Sequence, residues 1–212
     1  MRVHTIVLSV ALVLTGCSGE EERYQVLPPD AVVDGQTAVD LLEVWGRAWL
    51  ESPLNESWFM NLAFCDGGIS TESVYFGPTW PSENEWYATC TMSSDQVLFL
   101  VPVVTLCVDL GEQTADTTCL DQSWNVSASA ASIDGEKIES LEERTIDTGR
   151  FSVNLPPENL FGAEAGTYSA IFRGQVILVE GMATGAHQVI LSGDFGEGAF
   201  AGSLTITLSV AG

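Results

Sequence analysis

Basic and imidazole side chains are nearly missing from this sequence. Seven lysines plus arginines and two histidines stand against 29 acids in 212 residues, a formal charge of −22. That balance excludes nucleic acid as a partner, because there is no basic surface to release counterions from phosphate. It also argues against electrostatic docking on anionic lipid headgroups. Beyond residue 16 one histidine, His187, and one lysine, Lys137, remain. Any Ser-His-Asp or Cys-His arrangement would have to use His187, and no G-x-S-x-G elbow is present. Alternation puts His187 on one face with Val189 and Leu191, so a packed, hydrogen-bonded histidine at a strand start is expected. The absence of any CxxC or CxH pair speaks against zinc. No cofactor is expected.

The sequence opens with a recognisable export signal. Arg2 is a positive n-region, and Thr5 to Leu14 is an apolar stretch too short to span a bilayer. Leu14-Thr15-Gly16-Cys17 then fits a lipobox, which predicts cleavage before Cys17 and acylation of that residue. More than one acyl chain, at about 0.8 kcal/mol per buried CH₂, makes an effectively permanent membrane anchor. Residues 1–16 are therefore read as a lipoprotein signal, and Ser18 after Cys17 favours sorting to an outer membrane. No second stretch is long enough to cross a membrane. Residues 17–36, with Glu20-Glu21-Glu22 and Pro28-Pro29, read as an acidic, proline-containing tether. Fully extended, Ser18 to Asp34 could hold a domain up to about 55 Å from the lipid.

Residues 37–212 read as a single domain. Ala38, Leu41, Leu42, Trp45, Ala48 and Trp49 recur at three- and four-residue spacing, which predicts one amphipathic helix over Thr37–Glu51. Asp34 or Thr37 can cap it, and Ser52-Pro53 ends it. From Trp58 onward the period becomes two. Short apolar segments such as Val74-Tyr75-Phe76, Trp86 to Thr91, Phe151 to Leu155, His187 to Ser192 and Leu204 to Val210 alternate with turn residues. Trp124, Val126, Ala128 and Ala130 are expected to share one face of a strand. Val97 to Val104 is nearly continuous, so it should be buried on both faces, with Pro102 at an edge, bulge or strand end. Gly193-Asp194-Phe195-Gly196-Glu197-Gly198 reads as a hairpin loop. The expected fold is mainly β: an antiparallel β-sandwich, immunoglobulin-like or jelly-roll-like, with one N-terminal helix.

Four cysteines follow Cys17, and an even number in an exported chain reads as two disulfides. Among three pairings, Cys65–Cys90 with Cys107–Cys119 closes two local loops, worth roughly 3.5 and 3 kcal/mol by chain entropy. Asp109, Glu112, Asp116 and Asp121 crowd the smaller loop and offer oxygen ligands to calcium, though without EF-hand order. Trp80, Trp86 and Tyr87 lie in a polar, turn-rich segment and are candidates for stacking on sugar rings, against the alternative that they fill the core.

Several motifs in order carry a family resemblance. The first half has Trp45-x3-Trp49, Cys65, Val74-Tyr75-Phe76-Gly77, Thr89-Cys90 and Phe99-Leu100-Val101-Pro102 before Cys107. The second half has Ile133-Asp134-Gly135, Phe151 to Leu155 with Pro156-Pro157-x-Asn159-Leu160-Phe161-Gly162, and Gly185-x-His187-x-Val189-Ile190. Together these resemble a family of secreted bacterial proteins with no established activity and an immunoglobulin-like C-terminal half. Met182-Ala183-Thr184-Gly185 departs from the Pro-Leu-x-Pro-Gly turn that members tend to have. The resemblance implies architecture and transfers no catalytic residue. The functional expectation is a lipid-anchored cell-envelope protein, a non-enzymatic binding or structural module for a glycan or an envelope protein. The alternative is a carboxylate-based hydrolase acting on envelope or extracellular glycans.

Overall fold

A computed structural model describes residues 24–53, 65, 69–79, 84–111, 114–196 and 201–212. Its strands are β1 (Gln25–Val26), β2 (Val32–Val33), β3 (Gln36–Thr37), β4 (Val74–Phe76), β5 (Asn84–Ser93), β6 (Val97–Leu100), β7 (Val104–Val108), β8 (Ala128–Ile133), β9 (Glu136–Lys137), β10 (Thr145–Asp147), β11 (Phe151–Leu155), β12 (Gly166–Gln175), β13 (Ile177–Glu180), β14 (Gly185–Asp194) and β15 (Ala201–Ala211). Helix α1 spans Ala38–Glu51, helix α2 spans Thr117–Ser123, and a 3₁₀ turn covers Leu141–Arg144.

An outer sheet in the order β5-β15-β14-β8-β9 packs on an inner sheet in the order β1-β13-β6-β4. The inner sheet is buried on both sides. Tyr75, Leu98, Leu100, Ile177 and Val179 face the outer sheet, while Val74, Phe76, Val97, Phe99 and Leu178 face helix α1. This is the continuous apolar run expected of a strand with no solvent face. Pro102 marks a bulge. Leu100 pairs with Ile177 and Val104 with Gly174, so three residues on one strand face two on the other. Beyond it the same two strands continue as β7 and β12 into a back sheet completed by β11 and β10. A second bulge sets Thr148, Gly149 and Arg150 against Ile171 and Phe172. The fully buried Thr148 hydroxyl accepts from Phe172 N–H there at 2.8 Å, replacing the lost ladder bond.

Helix α1 lies where its stripe predicts. Thr37 caps it reciprocally with Asp40, whose carboxyl is held below the usual range by the Thr37 side-chain and backbone hydrogen bonds. Asp34 is not the cap. It and Gly35 form a left-handed turn (φ 50° and 79°) between β2 and β3. Trp45 and Trp49 pack edge-on to Phe172, and Gly46 faces the same ring.

The mainly β sandwich with its N-terminal helix is as expected, and both disulfides join the expected partners, Cys65–Cys90 and Cys107–Cys119. Four details differ. Two ladders, β5 with β15 and β4 with β6, are parallel. Helix α2, capped by Asp116, was not expected; its Cys119 and Leu120 cover Cys107 and Ile171 on the far side of the back sheet. Strand β8 starts only at Ala128 and buries Ala131 and Ile133, so Ala128 and Ala130 are on its outward face. The tether is the largest correction, because its second half belongs to the domain. β1 pairs with β13, Leu27 and Val33 are buried, and Arg144 donates to Leu27 O at 2.8 Å. Burial lowers the Arg144 pKa, with Glu143 opposing the shift. Residues 1–16, Cys17 and the first part of the tether lie outside the described residues. Among the described residues no helix is long and apolar enough to cross a membrane.

Candidate functional site

Among the described residues the histidine and the cysteines are engaged in the architecture. His187, 7% exposed, sits with one ring nitrogen 2.8 Å from Asp134 Oδ2 and the other 2.8 Å from Ala183 O. The other Asp134 oxygen accepts from Gln188 N–H at 2.9 Å. Both nitrogens are engaged, so the ring is a brace between the Asp134-Gly135 turn and the start of β14, as its alternation suggested. The four described cysteines are paired in disulfides.

The calcium candidates are dispersed. Asp109 pairs with Arg150 and accepts from Gly111 N–H, Asp116 caps α2, and Asp121 pairs with Arg173. Glu112 lies outside the described residues. Among the described residues no cluster of His, Cys, Asp or Glu has metal-binding geometry. The spacing around the small disulfide suggested a cluster, but the helix and sheet turn these side chains toward separate partners.

The described cations are likewise committed. Arg173 holds Asp147 with two bonds at 2.6 and 2.7 Å and Asp121 with a third at 2.8 Å; the Asp147 bonds raise its pKa most. Lys137 pairs with Glu139. Arg47 pairs with Glu43 and lies over the Phe151 ring. Arg47 also donates to Ser152 O, and Glu51 accepts from Asn154 N–H. One turn of α1 thereby occupies two backbone groups of β11, at the edge of the back sheet.

Among the described residues, the outward face of the outer sheet is one open surface. On β5, Glu85, Tyr87, Thr89 and Thr91 are exposed, while Ala88, Cys90 and Met92 are buried and Trp86 is half-buried against the sheet–sheet core. Trp86 and Tyr87 therefore occupy opposite faces and do not form a joint stacking platform; Trp80 lies outside the described residues. Tyr87 is 65% exposed. Across the sheet Tyr87 is level with Thr205 and Ile190, and Thr89 with Thr207 and Gln188. Glu85 is level with Ser203 and Ser192, and Thr91 with Ser209 and Ala186. On a chain of charge −22, these four rows carry one carboxylate, Glu85, at their end. The hydroxyl alternation of Ser203, Thr205, Thr207 and Ser209 was legible in the sequence. Its lining-up with β5 was not, because that register belongs to a parallel pairing between strands more than a hundred residues apart.

No protein-family model and no curated protein matches the sequence. Solved structures with some likeness include PbICP-C in complex with falcipain-2, at 13% identity and TM-score 0.28 over 66% of this chain and 99% of that one. The cysteine protease inhibitor EhICP2 from Entamoeba histolytica aligns at 10% identity and TM-score 0.25, over 66% and 96%. Amebosin aligns at 15% identity and TM-score 0.20, over 64% and 100%. Scores this low carry no argument about function.

Proposed function

We propose that this chain is a lipid-anchored cell-envelope protein whose sandwich is a non-enzymatic binding module. Its contact surface is the outward face of β5, β15 and β14, and its ligand is a neutral, hydroxyl-rich surface such as a glycan. The observation that carries this reading is Tyr87, 65% exposed on a strip of hydroxyl and amide side chains whose one carboxylate, Glu85, accepts from the Tyr87 hydroxyl at 3.3 Å, on a strongly acidic protein. An aromatic ring stacks on the C–H face of a sugar, and flanking hydroxyl and amide groups meet its hydroxyls. A cationic ligand would be expected to seek denser acids than the single Glu85 of this strip. The anchor reading is supported by the lipobox and by cysteine arithmetic: with the other four paired, Cys17 is the one left over. Disulfides suit an oxidising compartment outside the cytoplasm, and Ser18 favours the outer membrane.

Two measurements test the reading. Cys17→Ala should leave an uncleaved or soluble species on fractionation; unchanged membrane association would refute the anchor. Residues 18–212, screened on a glycan array, should bind a neutral polysaccharide and lose that binding in Tyr87→Ala. Binding unaffected by Tyr87→Ala would move the site off this face. Capture of an envelope protein without any glycan would make the module a protein-binding one. Turnover of a polysaccharide, abolished by neutralising one acid pair, would establish the carboxylate hydrolase instead.

A further inference from the structure

The described chain begins as part of the fold, and the place where it joins fixes how the domain can stand on a membrane. Gln25 pairs with Glu180 and Val26 with Val179, antiparallel, so Tyr24 lies at the end of the inner sheet where β13 passes into the 181–184 loop. Leu27 N–H donates to Leu178 O at 2.8 Å, and Arg144 donates to Leu27 O. The Tyr24 ring packs against the sheet–sheet core, and its hydroxyl reaches Ile133 O at 3.3 Å and a Glu136 carboxylate oxygen at 3.2 Å. The entry point is therefore tied at once to the inner sheet, the 3₁₀ turn and the β8–β9 turn.

Only the six residues from Ser18 to Arg23 separate Cys17 from Tyr24. Seven Cα steps span at most about 25 Å. Strand β14 runs for ten residues, about 33 Å. Its first residue, Gly185, is at the Tyr24 end, just past the 181–184 loop, and its last, Asp194, is beside Ala128 and Ala201 at the far end. The leash is shorter than the sheet it carries, so the domain cannot turn over. We propose that this protein is held with the 181–184 loop toward the bilayer, and that the opposite end of the outer sheet, where β8 and β15 begin and β14 ends, points away from it. Glu136 and Glu180 at the near end repel an anionic surface. The strip around Tyr87 starts from the far end: Glu85 is level with Ser203, two residues from the start of β15. From there it runs the length of the sheet to Ser209 and Ala186 beside the 181–184 loop, so with this orientation it looks sideways along the membrane rather than into lipid headgroups. This inference rests on acylation at Cys17, and the experiment separates the two.

The test uses full-length, lipidated protein in phosphatidylcholine vesicles that carry an energy acceptor on their headgroups. One donor dye is placed on Thr184→Cys and, in a second preparation, on Ala128→Cys, both exposed positions. Transfer from position 184 should exceed transfer from position 128 by about twofold or more, given a separation near the length of β14. A flexible insertion of about 12 residues after Arg23 lengthens the leash beyond the sheet and should erase the difference. Equal transfer from the two positions on the native leash, or stronger transfer from position 128, overturns the orientation while leaving the anchor intact. Failure of the unlabelled protein to float with vesicles refutes the anchor reading, and the orientation falls with it.

Discussion

The two cores on either side of the inner sheet are built from different materials. The one between the sheets is mostly aliphatic: Leu98, Leu100, Ile133, Ile177, Val189, Leu191, Leu204, Ile206 and Leu208, stapled by Cys65–Cys90. The one beneath α1 is rich in rings: Trp45, Trp49 and Phe151 gather around Phe172, and Phe76 packs on Phe99. Two facing sheets stand about 10 Å apart, a gap that branched side chains from alternate positions fill evenly. A helix on a sheet meets it along one stripe and leaves wedge-shaped space on both flanks. Large rings fill the wedges, and a small residue is needed where the axes approach. Gly46 is that residue: a Cβ there would lie 2.9 Å from the Phe172 ring.

If this contrast is right, truncation should cost most where a ring holds two elements at once. Phe172→Ala should lower unfolding free energy by about 3–5 kcal/mol, and Leu191→Ala in the aliphatic core by about 2–5 kcal/mol. Denaturant melts of both variants check this, and a Phe172→Ala loss below that of Leu191→Ala would break the comparison. Replacing Cys65 and Cys90 together with serine should cost about 3.5 kcal/mol from the 25-residue separation, against about 3 kcal/mol for the 12-residue Cys107–Cys119 pair. The first loss should loosen the sheet–sheet core, and the second should release α2, seen as selective amide exchange. Gly46→Ala separates two effects of opposite sign. Helix propensity alone predicts a gain of about 1 kcal/mol, whereas overpacking against Phe172 predicts a loss of about 1–3 kcal/mol. We expect the loss, and a stabilised variant would show that α1 can retreat from the ring.

The smallest expected effect concerns Tyr24, which clips β1 to the outer sheet. Burial, then the neighbouring Glu136, pushes its pKa from 10.0 up to about 12. The folded state holds this proton more tightly than the unfolded chain. The clip therefore contributes fully below pH 10 and is lost as the pH rises toward 12. Phenolate absorbance should follow that window, with amide exchange of Gln25 and Val26 rising alongside it. Titration of Tyr24 with an unshifted midpoint would detach it from the core.

Much of the fold could be read before any coordinates. The stripe of α1, the alternation of β11 and β15, the two-sided burial around Phe99 and the break at Pro102 are all local patterns repeated over several residues. The disulfide pairing followed from loop length. By contrast α2 offers only Cys119 and Leu120 to the core, too few positions for a period to show, with Asp116 as its one signal. The Asp34-Gly35 and Asp134-Gly135 pairs, both at positive φ, are hairpin turns that the dipeptide alone could have marked. The start and inward phase of β8 were not legible because alanine and serine scarcely differ in hydrophobicity, so alternation among them carries little information.

The candidate face divides the same way. That Ser203, Thr205, Thr207 and Ser209 look outward was fixed by sequence, since Leu204, Ile206, Leu208 and Val210 must be buried and strand geometry leaves the others no choice. The Leu14-Thr15-Gly16-Cys17 motif, the acidic composition and the scarcity of histidine are likewise properties of the chain alone. The tertiary structure decided which aromatic joins that face, sending Tyr87 out and Trp86 in through the parallel register of β5 on β15. It also drew residues 24–27 out of the tether into the inner sheet. A two-residue strand has no pattern of its own, and it exists only because β13, more than 150 residues later, presents an edge for it to complete.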